Sequence, residues 1–143
     1  MREMLPSAAG YGPVIDRLRA AGLRPTRQRL ALARLLFGAQ DRHISAETLH
    51  SEALGHNVRV SLATVYNTLN QFTQAGLLRE VVVEPGRSYF DTNISDHHHF
   101  FHEDAGELCD IPGESVVLGA LPKAPFGTEV TRVDVVIRVR DRK

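Results

Sequence analysis

Ser61-Leu-Ala-Thr-Val-Tyr-Asn-Thr-Leu-Asn-Gln-Phe-Thr-Gln-Ala-Gly76 is the stretch of sequence that decides the fold. Ser61 is a favoured residue for a helix N-cap, and Gly76 stands where a helix of this length would end. At about 100° per residue, four apolar side chains share one narrow arc. They are Leu62, Val65, Leu69 and Phe72. The stretch therefore predicts an amphipathic helix from Leu62 to Ala75 that buries this arc.

The opposite face of this predicted helix is polar and uncharged. It carries Ala63, Thr64, Asn67, Asn70 and Gln71, with Tyr66 at the boundary between the two faces. A solvated helix face usually holds Lys and Glu, whereas small and amide side chains suit close approach to base edges in the major groove of DNA. The face therefore predicts a DNA recognition helix.

Three further helices are predicted before this one and a hairpin after it. The helices run from Val14 to Ala21, from a predicted N-cap at Thr26 to Gly38, and from a predicted N-cap at Ser45 to Gly55, each ending at or beside a glycine. A Val-rich segment from Leu77 to Glu84, a Pro-Gly turn and the segment Ser88 to Asp91 predict two paired strands. This order of elements is typical of a winged helix-turn-helix domain.

Charge is distributed unevenly along the chain, although the formal net charge is zero. Residues 1–84 hold ten arginines against seven acids, whereas residues 85–143 hold seven basic against ten acidic residues. The N-terminal part is therefore the better binder of a polyanion such as DNA, with an ordinary solvated surface as the alternative interpretation.

The candidate DNA contacts follow from this charge and from the uncharged helix face. Phosphate contacts are expected from Arg24, Arg27 and Arg59. Contacts in the groove are expected from Ser61, Ala63, Thr64, Tyr66 and Asn67. Tyr66 can touch either a thymine methyl group or a phosphate.

Composition limits the class of protein. With 143 residues, 43% of them hydrophobic and 24% charged, the chain predicts one domain or two small ones and no membrane span. The N-terminus lacks the features of a secretory signal, so the cytoplasm is the expected compartment. The single cysteine, Cys109, can supply neither an intramolecular disulfide nor a Cys-based zinc site. Any bound metal therefore needs His and carboxylate ligands.

The second half of the chain predicts strands and one short helix. Residues Thr131 to Arg140 alternate in polarity, which indicates a half-buried strand with Val133, Val135, Ile137 and Val139 on one face. A short helix is expected from Glu114 to Leu121, between segments rich in Pro and Gly.

Four of the seven histidines lie at His97, His98, His99 and His102, among several acids. In an extended chain His97 and His99 point to one face, and His98 and His102 to the other. A shell of His and carboxylate groups suits iron, manganese or zinc, and imidazole is also the usual axial ligand of heme iron. The cluster therefore predicts a site for a divalent metal or for heme.

Three motifs resemble the ferric uptake regulator family: Gly22-Leu-Arg-Pro-Thr-Arg-Gln-Arg-Leu30, Ser61 to Phe72, and Gly76-Leu-Leu78. The resemblance implies an α+β fold in which residues 1–92 form a winged-helix DNA-binding domain. Residues 93–143 then form a small α/β domain for dimerisation and ligand sensing. It implies a homodimeric transcription regulator that binds double-stranded DNA.

The same resemblance implies a set of sensing-metal ligands. The ligands are His43, Asp91, His97, His99 and Asp110. This chain has His102-Glu-Asp-Ala105 where most relatives carry a Cys-x-x-Cys pair, so no Cys-based structural zinc is expected. Dimer stability is then expected from strand pairing and from burial of the four apolar residues of the Thr131 to Arg140 strand.

Within the family, the His97-His98-His99 triplet and the missing cysteine pairs most resemble the iron response regulator branch. That resemblance implies a repressor that occupies AT-rich inverted repeats when iron is scarce and is released by heme bound at the triplet. A sensor that uses Fe or Mn as corepressor and a peroxide sensor remain alternatives. A His and carboxylate metalloenzyme is a distant one, because the sequence has no motif of an enzyme active site.

Overall fold

The computed structural model of the chain describes residues 8–38 and 40–143, with side chains from residue 12 onward. It divides into two compact units, one extending to Ile94 and the other beginning at Ser95. Among the described helices, none is long and apolar enough to cross a membrane.

The first unit contains four helices. They are α1 (Ala8–Ala20), α2 (Arg27–Phe37), α3 (Ala46–Gly55) and α4 (Leu62–Gln74). The side chains of Thr26, Ser45 and Ser61 each accept a hydrogen bond from the backbone N–H three residues later, at 3.2, 3.2 and 3.0 Å. These bonds satisfy donors that the first helical turn leaves unpaired, so the three predicted N-caps are confirmed.

Residues in the left-handed conformation follow α3 and α4. Gly76 has φ +83°, a conformation that costs glycine nothing, and there the Leu77 N–H bonds to the Phe72 carbonyl at 2.9 Å. Between α3 and α4, Asn57 adopts φ +60°, and the Val58 N–H returns to the Ala53 carbonyl at 2.8 Å. Asn is one of the few other residues that tolerate this region. The tight turn connects α3 to the predicted recognition helix.

Three antiparallel strands complete the first unit: β1 (His43–Ile44), β2 (Arg79–Glu84) and β3 (Arg87–Asp91), in the order β1-β3-β2. β2 and β3 confirm the predicted wing. The two-residue strand β1 was not predicted, because so short a segment carries no periodicity.

The core of the first unit lies among the helices and under the wing. Its fully buried side chains include Leu18, Leu30, Leu36, Leu49, Val65, Leu69 and Phe72. Of the four α4 residues predicted to be buried, Leu62 is only partly buried. Thr68, which was not among them, is buried as well.

The second unit is a three-stranded sheet. It consists of β4 (His97–His102), β5 (Glu107–Pro112) and β6 (Val136–Val139), in the order β5-β4-β6. β4 pairs antiparallel with β5 and parallel with β6. β5 was not predicted, because its mixed sequence has no clean alternation.

Two predictions for the second unit are wrong. The helix expected from Glu114 to Leu121 is only a single 3-10 turn, Gly113–Ser115, because the surrounding Pro and Gly residues oppose a longer helix. The strand expected from Thr131 to Arg140 is only β6. β6 begins at Val136, so Val133 and Val135 lie outside the strand. The Val135 N–H bonds to the His98 ring at 3.1 Å.

Replacing Phe72 with Ala tests the core. Phe72 is fully buried and packs against Phe37 with ring centroids 6.2 Å apart, so F72A is expected to lower the free energy of unfolding by about 3–5 kcal/mol. Urea denaturation measures this change. Val82 on the wing is 61% exposed and supplies the matched control, with V82A expected within about 0.5 kcal/mol of the parent. Equal effects of the two variants would contradict the assigned core.

Candidate metal centre and nucleic-acid interface

His97 and His99 lie on one face of β4, as the alternation of a strand requires, and both are buried. Asp110 on the neighbouring strand β5 lies directly opposite His99 in the antiparallel register. It is therefore also a diagonal neighbour of His97, within reach of an imidazole ring. Strand pairing thus brings the two rings and the carboxylate together.

The distances among these three groups fit a metal ion. Asp110 Oδ1 lies 3.3 Å from His97 Nε2 and 3.5 Å from His99 Nε2. Ligands about 2.1 Å from a tetrahedral metal are about 3.4 Å apart, whereas a charge-assisted hydrogen bond is about 2.7–2.9 Å long. The spacing therefore matches the edges of a coordination shell better than direct hydrogen bonds.

Ser95 fixes the orientation of the His97 ring. Its backbone carbonyl lies 2.6 Å from His97 Nδ1, and since a carbonyl only accepts, Nδ1 carries the proton and donates it. In the neutral ring the Nε2 lone pair then faces the Asp110 carboxylate, an arrangement that needs a cation or a proton between them. A backbone acceptor behind a ligating imidazole is also the usual arrangement in metal sites. The chemistry of the three groups therefore fits a divalent metal.

The other two predicted metal ligands form a pair in the first unit. His43 on β1 lies opposite Asp91 at the end of β3, with His43 Nε2 3.2 Å from Asp91 Oδ2. Asp91 is almost fully buried, and its Oδ1 accepts the Asn93 N–H at 2.9 Å. Two of the five predicted ligands thus belong to the first unit and three to the second.

Arg42 holds the strand that carries His43. Its guanidinium donates twice to the Glu52 carboxylate of α3, at 2.9 and 2.6 Å. Its backbone N–H donates to Thr92 Oγ1 at 2.9 Å, and the Thr92 N–H returns to the Arg42 carbonyl at 3.1 Å. These bonds maintain the register that places His43 opposite Asp91.

His98, the middle residue of the predicted heme triplet, has a different environment. It is half-buried, and its Nδ1 accepts the Val135 N–H, so a neutral ring carries its proton on Nε2. Ligation of iron through Nε2 would require that proton to move. Heme ligation by His97, His98 and His99 stays a prediction.

His102 lies in a second group of potential metal ligands, together with Asp104 and Asp141. Its Nδ1 accepts the Ala105 N–H at 2.9 Å, so a neutral ring carries its proton on Nε2, 2.8 Å from Asp141 Oδ1. The Asp141 N–H in turn donates to Asp104 at 2.7 Å. This group is a hydrogen-bonded link between the β4–β5 turn and the chain after β6.

Most of the residues predicted to contact DNA lie on the surface of the first unit. Arg24, Arg27, Arg59, Ser61, Ala63, Tyr66 and Asn67 are exposed, and Thr64 is partly exposed. The Ser61 hydroxyl caps α4 and also donates to Thr64 Oγ1 at 2.9 Å. Ser61 is thus engaged in capping, and the DNA contacts of the whole set stay predictions.

Tyr66 has a charged partner that the sequence did not predict. Its hydroxyl donates to Glu47 Oε2 at 2.7 Å, from α4 to the first turn of α3. This hydrogen bond stabilises the carboxylate and lowers the pKa of Glu47, and the same bond raises the pKa of Tyr66. Glu47 was visible in the sequence only as an acid near a helix N-terminus.

Arg29 and Arg17, two basic residues of the N-terminal part, make intramolecular contacts. Arg29 donates from Nε and Nη2 to Gln71 Oε1 on α4, at 3.3 and 3.1 Å, and from Nη1 to the Arg24 carbonyl at 2.9 Å. Arg17 lies over the Phe37 ring, 4.7 Å from its centroid. These residues therefore support α1, α2 and α4, and sequence alone could not separate them from phosphate-binding arginines.

Removal of one imidazole tests the metal centre. H97A is expected to weaken Mn²⁺ binding by more than about 100-fold, since loss of an outer partner of a ligand alone costs about 10- to 100-fold. Isothermal titration calorimetry on metal-stripped protein measures the affinity. H102A is the control and is expected to bind Mn²⁺ as the parent does. A loss of affinity in H102A with none in H97A would show that the His102 group, and not the His97 group, holds the ion.

The hydrogen bond between Tyr66 and Glu47 predicts a pH effect. Y66F removes the donor that lowers the pKa of Glu47, so that pKa is expected to rise toward its ordinary value of 4.5. The lowered pKa stabilises the fold above pH 4.5, and this contribution is lost as the pH falls through the pKa of the folded state. Carbon-detected NMR titration of the Glu carboxyl groups measures it. An unchanged Glu47 midpoint in Y66F would contradict the bond.

Comparison with known proteins agrees with this geometry. Residues 20–120 match the model of the ferric uptake regulator family. The chain is 35% identical to the ferric uptake regulation protein of Shigella flexneri over 100 residues, which cover 69% of this chain and 68% of that protein.

Solved structures give the same result. The Pseudomonas aeruginosa ferric uptake regulator with manganese is 28% identical, with a TM-score of 0.66 over 90% of this chain and 97% of its own. The Vibrio cholerae ferric uptake regulator is 25% identical, with a TM-score of 0.70 over 90% and 99%. The family match confirms the predicted α+β fold, a winged helix-turn-helix followed by a small second domain. The chain belongs to the ferric uptake regulator family of metal-responsive transcription regulators.

Proposed function

We propose that this chain is a homodimeric regulator, mainly a repressor, of genes for iron homeostasis, and that a divalent ion at His97, His99 and Asp110 controls its binding to DNA. The observation that carries the proposal is the convergence of these three groups, with the His97 lone pair directed at a carboxylate. The resemblance adds His43 and Asp91 as ligands of the same ion. Iron, manganese and zinc all suit this shell.

Residues 1–92 act as the DNA-binding domain in this proposal. The uncharged face of α4 enters the major groove, and Arg24, Arg27 and Arg59 contact phosphates on either side of it. Two such domains in a dimer meet the two half-sites of an AT-rich inverted repeat, one helical turn or a multiple of it apart.

Residues 93–143 supply the dimer contact and the sensing site. Several apolar side chains of the second unit are exposed, which supports a contact with a second copy of the chain. They include Phe100, Val117, Leu121, Phe126 and Ile137. The other three apolar residues of the strand predicted to hold the dimer, Val133, Val135 and Val139, are half-buried.

The ligands explain how sensing is coupled to DNA binding. A bound divalent ion would supply the positive charge that the Asp110 carboxylate and the two ring lone pairs require. Because the proposed ligands come from residues 1–92 and from residues 93–143, a bound ion would restrain the two DNA-binding domains of the dimer. The spacing of the two half-sites tolerates little rotation of these domains. Such coupling is typically worth about 5- to 150-fold in affinity.

Release by heme, as in the iron response regulator branch, is the second candidate. The His97-His98-His99 triplet and the presence of only one cysteine in the sequence favour it. The burial of His97 and His99 and the engaged Nδ1 of His98 favour a small ion over the large heme ring.

Fluorescence anisotropy on an AT-rich inverted-repeat duplex, at stated salt, tests the proposal. Metal-stripped protein is expected to bind about 5- to 150-fold more weakly than protein loaded with Mn²⁺. H97A should lose this response, and H102A should keep it. Tight binding by stripped protein that heme abolishes would establish the heme-released alternative. Failure of every form to prefer the duplex over a scrambled one would contradict the DNA-binding function.

A further inference from the structure

Glu47 is an acid beside a surface that the proposed function assigns to DNA, a polyanion. The recognition helix α4 has no charged side chain on its outer face, and Glu47 reaches Tyr66 on that helix from α3. A carboxylate at this place lowers affinity for phosphate. Its presence therefore needs a local explanation.

We propose that Glu47 is a positioning residue that makes the Tyr66 hydroxyl a hydrogen-bond acceptor toward DNA, so that Tyr66 reads an exocyclic amino group of a base and does not bind a phosphate. The inference rests on the proposed DNA-binding function and adds to it the class of atom that Tyr66 recognises. It departs from the sequence-based expectation, in which Tyr66 could also touch a phosphate.

The hydrogen bond between Tyr66 and Glu47 fixes the direction of the hydroxyl proton. A carboxylate only accepts, so the single proton of the Tyr66 hydroxyl is directed at Glu47, 2.7 Å away. That length is typical of a charge-assisted bond. The hydroxyl oxygen then presents lone pairs to any further partner. The lowered pKa of Glu47 and the raised pKa of Tyr66 keep this arrangement of charge and proton across the neutral range.

Phosphates and bases differ in whether they can donate a hydrogen bond to the Tyr66 oxygen. Phosphate oxygens only accept, so they cannot bond to a hydroxyl whose proton is already donated, and the Glu47 charge repels them. In the major groove the hydrogen-bond donors are the amino groups of adenine N6 and cytosine N4. Tyr66 is 38% exposed, so its side chain lies at the surface where such a group could approach it.

The packing of α3 against α4 holds Glu47 beside Tyr66. Leu49 of α3 and Val65 and Leu69 of α4 are fully buried in one core. The His50 ring also donates to the Val60 carbonyl, at 3.0 Å, just before α4 begins. α3 therefore cannot shift easily relative to α4, and Glu47 holds its place beside Tyr66.

Selection from a randomised duplex library tests the proposal without a known operator. Protein loaded with Mn²⁺ is mixed with the library, and the bound duplexes are sequenced for the parent, Y66F, E47A and the double variant. Y66F keeps the ring and removes only the hydroxyl. Y66F and E47A are each expected to reduce the preference for adenine or cytosine at one position of each half-site by about fivefold, the value of one ordinary hydrogen bond. The double variant should lose no more than either single variant.

Two further variants serve as controls. D16A removes an exposed acid on α1 and should leave the selected sequence unchanged, which separates a loss of charge from a loss of positioning. E47Q keeps an acceptor oxygen for the Tyr66 hydroxyl and should retain the base preference. Circular dichroism verifies that every variant is folded.

Each contrary outcome has a distinct meaning. If Y66F weakens binding to all duplexes by the same factor and leaves the selected sequence unchanged, Tyr66 contacts phosphate and the proposal is wrong. If Y66F loses the preference but E47A retains it, Glu47 has no positioning role. If the parent itself selects no sequence, the DNA-reading function fails, and the inference fails with it.

Discussion

Antiparallel strand pairing is the interaction on which both candidate ligand groups depend. In the first unit it sets His43 opposite Asp91, and in the second it sets His99 opposite Asp110. A slip of one residue in either register would move the side chains of a whole strand to the other face of its sheet. The ion pair between Arg42 and Glu52 stabilises the register of β1 with β3. The hydrogen bonds of β4 with strands on both sides stabilise its register with β5.

Helix packing positions the surface that is proposed to read DNA. The core beneath α3 and α4 leaves the polar face of α4 outward and holds Glu47 within hydrogen-bond distance of Tyr66. Arg29 ties α2 to Gln71 at the other end of α4. Some arginines of the basic N-terminal part therefore stabilise the packing of the helices and are not only solvent-exposed charges.

The second unit shows how a histidine-rich sequence separates into different chemical roles. The His97 ring is oriented by the Ser95 carbonyl, which directs its Nε2 toward Asp110. The rings of His98 and His102 accept backbone N–H groups, so their protons lie on the nitrogens that would otherwise ligate. Neighbouring histidines on one strand thus present different ring nitrogens because their backbone partners differ.

The sequence by itself determined the presence of four helices, the N-caps of three of them, the wing and the common face of His97 and His99. Caps and periodicity depend on residues a few positions apart, so they can be recognised without a structure. Only the tertiary structure decided the short strand β1, the strand β5, the late start of the strand within Thr131 to Arg140, and the partners of Tyr66 and Arg29. Those features depend on hydrogen bonds between residues far apart in the chain, and no local pattern records which distant residue will supply the partner.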